Sequence, residues 1–466
     1  MNSKQIIKNT VADEFLNAPL SDRRLIHRLI YTAMILGDQP EKSIPDACPD
    51  LATTKSTYQL FSNDKVTPRA IIASHRLNTI ERMKQYPMVL CIQDTSALDF
   101  CTHKSTKGLG PYSTDQSTLG LLMHSVLAVS PDGVPLGLLY QNIWSRKDYP
   151  TQKRAQRHKL PIEEKESFKW LKALEESSHG IPDTIQRVMV GDREADIYEL
   201  FQKANQLGEH LLIRAVQNRR ITGEYHLLFE QISNVSEMGQ CLVDLPRKPE
   251  HNSAPRQARL SICYCPVHVC SPHIPSESIK LYAVYAQEIE VPEGEEPIKW
   301  LLLTTIPVTN MQEAVQKIEW YRERWKIERF HYTLKSGCRI EELQLETSQR
   351  LINAITLYSI VAWRLIWLTY QARVTPYQSC EIIFEADEWQ ALYCVVNKTK
   401  TPPDHPLTLQ EALRLLAKLG GFLGRKHDGE PGVKVLWRGL QKLNQGMVFL
   451  ELARSFPAIP KDMGNE

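Results

Sequence analysis

The sequence predicts an α/β fold: a mixed strand–helix core, interrupted by a β-rich insertion, between helical segments at either end. Three observations carry this. Residues 1–90 read as short amphipathic helices. Two short apolar runs, residues 89–92 and 188–190, have strand character and lead into aspartates. Strand-like runs then crowd residues 211–306 before helical patterning returns at Met311.

The elements follow in order. Ser21 and Asp22 precede Leu25, Ile26, Leu29, Ile30 and Met34 at helical spacing. Tyr58, Leu60 and Phe61 mark a second helix. Thr67-Pro68 opens a third, with Thr as cap and Pro at the first helical position. This segment carries a local charge of +3, with Arg23, Arg24, Arg28, Lys55, Lys65, Arg69 and Arg76 interleaved among the helices. It suits either a small DNA-binding module or a solvated helical cap. Apolar runs at 121–129 and 134–140 flank Pro131-Asp132-Gly133 and predict a hairpin. Residues 146–159 are basic through Arg146, Lys147, Lys153, Arg154, Arg157 and Lys159, as a DNA-facing loop or a plain surface. A helix is expected directly after Gly191-Asp192, from Ala195 to Lys203.

Strands are expected at 211–214, 260–269, 281–289 and 300–306, with loops at 246–255 and 292–297. Cys263-x-Cys265-x2-His268-x-Cys270 has zinc-like composition. It alternates with apolar residues as a strand does, whereas zinc sites want knuckle-type turns. Residues 351–370 are apolar enough for a membrane span. They contain Asn353 and Arg364, which favours a buried core helix, since a mid-bilayer arginine is costly. The last ninety residues read as helices around a loop at 420–432.

Composition bounds the function. The 466 residues suggest about three domains. With 42% apolar and 24% charged residues, collagen-like, mucin-like and wholly disordered chains are excluded. The net charge of +2 gives no global basic excess, so any nucleic-acid binding requires local arrangement of charge. The ten cysteines are scattered without a disulfide framework, which points to a reducing cytoplasm. The first residues lack the apolar stretch of a signal peptide, and no membrane partner is expected.

The chemistry is carried by acids. Asp94 and Asp192 are expected where short buried strands stop, rigid places to hold a ligand and also common turn positions. In residues 321–335, Tyr321, Arg324, Glu328 and Lys335 fall at offsets 0, 3, 7 and 14. On one continuous helix these share an arc of roughly 60°. That stripe suits a phosphate held beside a metal ion by Arg, Lys and Tyr while Glu holds the metal. It equally suits a salt-bridged helix face, because Arg324 and Glu328 are an i,i+4 pair. Asp, Asp and Glu together match hard ions such as Mg²⁺ or Mn²⁺. A pair of these about 4 Å apart supports phosphoryl transfer. Without metal the three carboxylates repel, and at least one pKa should rise.

These residues resemble a known family. Asp94-Thr95, Gly191-Asp192-Arg193-Glu194-Ala195-Asp196 and Tyr321-x2-Arg324-x3-Glu328-x6-Lys335 look like the DDE motifs of bacterial cut-and-paste transposases. The family is that of insertion sequence four, in the branch of the transposon-five transposase. Asp22-Arg23-Arg24, Tyr58-x2-Phe61, His124-Ser125-Val126, Lys165-Glu166-Ser167, Lys299 to Thr304, Trp325, Phe330-His331, Gly337 and Leu419 to Phe422 also match, nearly end to end.

The resemblance implies a ribonuclease-H-like catalytic core with an inserted β-subdomain, flanked by N-terminal and C-terminal helical domains. The expected boundaries are 1–75 for DNA binding, 76–370 for catalysis with the insertion at about 215–306, and 371–466 for dimerisation. It implies Asp94, Asp192 and Glu328 as ligands of two Mg²⁺ or Mn²⁺ ions. Tyr321, Arg324 and Lys335 would grip a phosphate, Trp300 would stack a flipped base, and Arg214 would contact nearby DNA. The partners would be terminal inverted repeats, target DNA and a second copy in a synaptic homodimer, in the cytoplasm at the nucleoid. The expected reaction is nicking, hairpin formation and strand transfer. A DNA-binding regulator without catalysis and a DDE-fold nuclease without strand transfer are the other readings. Leu121-Leu122 and the C-terminal linker depart from the branch, so contacts there are not carried over.

Overall fold

A computed structural model describes residues 11–113, 115–147, 160–245, 256–274, 276–425 and 428–455. Asp148, Lys153, Arg154, Arg157 and Lys159 of the basic run, and the loop expected at 246–255, lie outside the described residues. The helices are α1 (Arg23–Asp38), α2 (Ile44–Ala47), α3 (Leu51–Phe61), α4 (Pro68–Met83), α5 (Phe168–Ser178), α6 (Tyr198–Leu207), α7 (Leu228–Ser233), α8 (Met311–Arg322), α9 (Trp325–Tyr332), α10 (Ser348–Val374), α11 (Ala386–Asn397), α12 (Leu409–Leu419) and α13 (Val433–Ser455). The strands are β1 (Met88–Asp99), β2 (Gly120–Val129), β3 (Pro135–Trp144), β4 (Gln186–Gly191), β5 (His210–Arg214), β6 (Ile221–Thr222), β7 (Gly239–Leu245), β8 (Arg256–Cys270), β9 (Ser278–Glu288) and β10 (Lys299–Thr304).

The chain forms two compact units. A helical unit gathers the described residues of 1–75, 102–108 and 330–466; a sheet unit gathers 76–101 and 109–329.

Local signals set the helical unit's ends. The Asp22 side chain accepts the Arg24 amide at 2.9 Å, and Thr67 Oγ1 accepts the Ala70 amide at 3.2 Å, each satisfying a first-turn donor. The 27-residue α10 is long and apolar enough to cross a membrane, yet 89% of its most apolar window is buried within the structure. It is a core helix: Asn353 Nδ2 donates to the Phe61 carbonyl at 3.0 Å, tying α10 to the end of α3. Burial lowers the pKa of Arg364, opposed by the charges of Glu388, Glu14, Asp38 and Asp13. In the last helices, a Cβ on Gly420 would stand 1.9 Å from the Val435 carbonyl oxygen. One on Gly439 would stand 1.9 Å from that of Leu416. The α12 and α13 backbones therefore touch directly.

His331 is buried, and burial, with the Lys335 charge, pushes its imidazole down to about 3. The unfolded chain protonates this ring near pH 6.5 while the folded chain keeps it neutral, so acidification favours unfolding. Wild type should lose about 2 kcal/mol more than His331→Gln between pH 6.5 and 5. Urea melts at the two pH values read this, and equal losses would refute it.

The sheet unit is built on one ten-stranded sheet in the order β3-β2-β1-β4-β5-β10-β9-β8-β6, with β7 also pairing β8. β1 pairs antiparallel with β2 and parallel with β4, and β4 pairs parallel with β5. β2 is buried at every position, which suits a mainly apolar strand between covered faces, interrupted by the buried polar pair His124 and Ser125. The β2–β3 hairpin turns at Gly133, whose φ of +87° favours glycine. The long β8 pairs β9 along one edge and shares the other between β7 and β6. The Cys263–Cys270 segment lies wholly within β8, as its alternation predicted, and all ten cysteines are free.

Three details differ from the sequence reading. β7 and the short β6 were not expected. The helix after Asp192 begins at Tyr198 rather than Ala195, because a 3₁₀ turn at Arg193–Ala195 intervenes. Asp94 lies inside a strand rather than at its end. β1 loses its β4 partner after Ile92 but continues pairing with β2 as far as Asp99.

Candidate active site

All the sequence-derived site residues except Lys335 belong to the sheet unit. Asp94 sits two residues past the last β1–β4 pair, Ile92 with Val190. The Thr95 amide donates to its Oδ1 at 2.9 Å. Asp192 follows β4 and caps the 3₁₀ turn, accepting the Glu194 amide at 2.9 Å. This turn needs Gly191, where a Cβ would meet that of Ala195 at 2.5 Å. Glu328 projects from α9, where Arg324 Nη2 holds its Oε1 at 2.5 Å. Parallel neighbours β1 and β4 place the two aspartates side by side.

Electrostatics links the three acids. The Asp94 carboxyl is pushed up to about 7, first by burial. Arg324 opposes the rise, while Asp192 and Glu328 add to it. The increase expected for one of three repelling carboxylates thus falls on Asp94. Among the described residues, no three His, Cys, Asp or Glu side chains stand close enough to hold one metal ion. Asp192 and Glu328 both act on Asp94, and Arg324 is the cation that opposes them there.

The phosphate-gripping candidates surround this group. Tyr321 is buried; burial raises its phenol pKa, and Arg324 and Arg214 oppose the rise. The Arg324 guanidinium lies 5.9 Å from the Tyr321 ring centroid and 5.5 Å from that of Trp325. Arg214, at the end of β5, donates to the Lys299 carbonyl at 2.9 Å, and its charge acts on the Tyr321 phenol. Trp300 on β10 meets Tyr321 edge-on, 5.4 Å between centroids, and is only 8% exposed. Trp300, Tyr321, Arg214, Arg324 and Glu328 therefore form one connected group.

The expected single helix over 321–335 is not continuous. α8 closes at Arg322; the amides of Arg324 and Ile327 then bond carbonyls three residues back, tightening the turn. Residues Thr333–Gly337 widen into a π turn. Uniform 100° spacing fails across both. Lys335 falls on the π turn in the helical unit and pairs with Glu341 at 3.4 Å. Glu323, between α8 and α9, has a side chain only 13% exposed. It is held by Lys326 at 3.2 Å beside the β2–β3 turn, where a Cβ on Gly133 would meet its Oε2 at 2.6 Å.

A buried polar cluster had no assigned role in the sequence reading. His124 contacts both Thr95 and Gln93, the neighbours of Asp94. Its signal was present: Gln93, His124 and Ser125 are polar residues within otherwise apolar strand runs.

Comparison with protein families is decisive. Residues 7–66 match a transposase DNA-binding domain, residues 170–364 a transposase DDE domain, and residues 360–459 the Tn5 transposase dimerisation domain. The chain is a DDE transposase of the Tn5-related branch. The transposase is DNA-binding, and its DDE domain belongs to a class that depends on divalent metal. Asp192, Trp300, Tyr321, Arg324, Glu328 and Lys335 lie inside the DDE match, as does Arg214, while Asp94 precedes it. A cryo-EM structure of a piggyBac transposase synaptic complex with hairpin DNA is similar to 95% of this chain and 74% of that one. The identity is 11% and the TM-score 0.39.

Proposed function

We propose that this transposase excises and inserts an element by cutting at terminal inverted repeats, with Asp94, Asp192 and Glu328 as its catalytic acids. The observation that carries the proposal is that Asp192, from the β4 turn, and Glu328, from α9, both act on the buried Asp94 carboxyl of β1. The strand order β3-β2-β1-β4-β5, antiparallel then parallel, supports a ribonuclease-H-like core, with β6 to β9 as the insertion.

The donor set fits a hard divalent cation. Two further carboxylates, Asp192 and Glu328, oppose the deprotonation of the buried Asp94, and a cation relieves that opposition. Asp94, Asp192 and Glu328 would hold two Mg²⁺ or Mn²⁺ ions. Bound metal would supply Lewis acidity and a deprotonated attacking oxygen. The protein's own groups do the rest. Arg324, Tyr321 and Arg214 present donors to phosphate oxygens, and Lys335 is a further candidate. Glu328 must exchange its Arg324 partner for its role at the metal.

The proposed sequence is attack by water on one strand, attack of the freed 3′-hydroxyl on the other to form a hairpin, hairpin opening, and joining to target DNA. A homodimer synapsing two ends is consistent with the dimerisation-domain match. The boundaries proposed are 1–75, 76–370 and 371–466, and the setting is the nucleoid. The test is Mg²⁺-dependent nicking of a duplex carrying the inverted repeat that flanks the gene. Absence of cleavage with retained end binding would favour a regulator, and cleavage without hairpins a nuclease.

Hairpin formation requires a tight bend, which a flipped base relieves. Trp300→Ala should slow hairpin formation about tenfold more than the first nick, given stacking worth about 1–3 kcal/mol per base. Gel analysis of both products reads this. Equal slowing would make Trp300 a core aromatic supporting Tyr321.

A further inference from the structure

We infer that His124 is a positioning residue that fixes the Asp94 carboxylate by clamping the β1 residues on either side of it. The inference rests on the proposed metal-holding role of Asp94. In β1, side chains alternate between faces, so Gln93 and Thr95 point away from Asp94. His124 lies directly opposite Thr95 in the antiparallel β1–β2 pair and shares its face. Its Nδ1 is 2.8 Å from Thr95 Oγ1, and its Nε2 is 3.0 Å from Gln93 Oε1. The geometry fits one neutral tautomer: Nε2–H donates to Gln93, and the Thr95 hydroxyl donates to Nδ1.

The clamp continues to the acid. The amide of Thr95, the residue whose hydroxyl His124 holds, donates to Asp94 Oδ1 at 2.9 Å. A movement of the Thr95 backbone would therefore disturb both bonds together. The imidazole cannot retreat: it is fully buried, and the buried Trp170 of α5 meets it edge-on with centroids 4.8 Å apart. β1 has lost its β4 partner by this point, so Asp94 has β2 on one edge only. A buried three-residue clip across β1 and β2 replaces the stiffness that a second parallel neighbour would have supplied. Partners that orient metal-holding side chains typically change metal affinity about 10–100-fold when removed.

The test uses the full chain and Mn²⁺ alone as probe, its free concentration followed by electron paramagnetic resonance. His124→Phe, and independently Thr95→Val, should each weaken Mn²⁺ binding about tenfold. Each should raise by a comparable factor the Mg²⁺ needed for half-maximal nicking. Thr95→Ser, which keeps the hydroxyl, should restore both. Thr95→Val changes a single polar group, so it stands if His124→Phe fails to fold. Wild-type Mn²⁺ affinity in Thr95→Val, or Thr95→Ser as impaired as Thr95→Val, would overturn the inference. Asp94→Asn separates it from the reading beneath. If Asp94→Asn binds Mn²⁺ normally, that reading fails; if only Asp94→Asn loses binding, the clamp alone fails.

Discussion

Glu328→Ala is expected to leave binding to the transposon end intact and to slow strand nicking about 10³-fold or more. The magnitude follows from metal ions supplying several kcal/mol of transition-state stabilisation, at 1.36 kcal/mol per tenfold. Binding should persist because the substitution leaves Arg324, Arg214 and Tyr321 in place. Removing the carboxylate also frees Arg324 from its 2.5 Å ion pair, which if anything favours phosphate contact. Band-shift and nicking assays on the same labelled end read the two effects separately. The competing account of Glu328 is an ordinary helix-face ion pair, with a contribution of a few tenths of a kcal/mol. Nicking within about tenfold of wild type would establish that account. Loss of both nicking and end binding would also count against a catalytic role, since it would place Glu328 in the support of Arg324.

Gly439→Val is expected to open the α12–α13 crossing, at a cost of about 3 kcal/mol from overpacking. A Cβ there would stand 1.9 Å from a backbone oxygen, so no rotamer change can relieve it. Even Gly439→Ala should destabilise, although alanine is the better helix former by about 1 kcal/mol. Gly446 supplies the control on the same helix, since nothing lies within 4 Å of its Cβ position. Gly446→Ala should therefore stabilise by about 0.5–1 kcal/mol. Hydrogen exchange of the α12 and α13 amides reads the local effect. Opposite signs at the two glycines are the expected result. Stabilisation at both would show that helix propensity, rather than the crossing, governs this region.

Much of the architecture was legible because it rests on local chemistry. Asp22 and Thr67 mark helix starts through bonds they make themselves, and Pro68 through its fixed φ and missing amide hydrogen. The hairpin at Gly133 and the alternation through β8 follow from turn geometry and the two-residue strand period. The site was less legible where neighbours in space decide the outcome. Asp94 was expected at a strand end because apolar character stops there; pairing with β2 carries β1 onward through polar residues. β7 is a half-exposed strand whose place depends on pairing with the first half of β8. The stripe through Lys335 was drawn on an ideal helix, and no residue in that stretch announces a π turn.

The helical unit draws on three separated stretches of chain, and this orders the protein's synthesis. Phe61 receives its hydrogen bond from Asn353, nearly three hundred residues downstream. While the ribosome is still translating, the first helices have emerged without the long apolar helix that will cover them. The sheet unit can close first, since its last described strand ends at Thr304. The earliest helices to leave the tunnel are thus among the last to acquire their native partners.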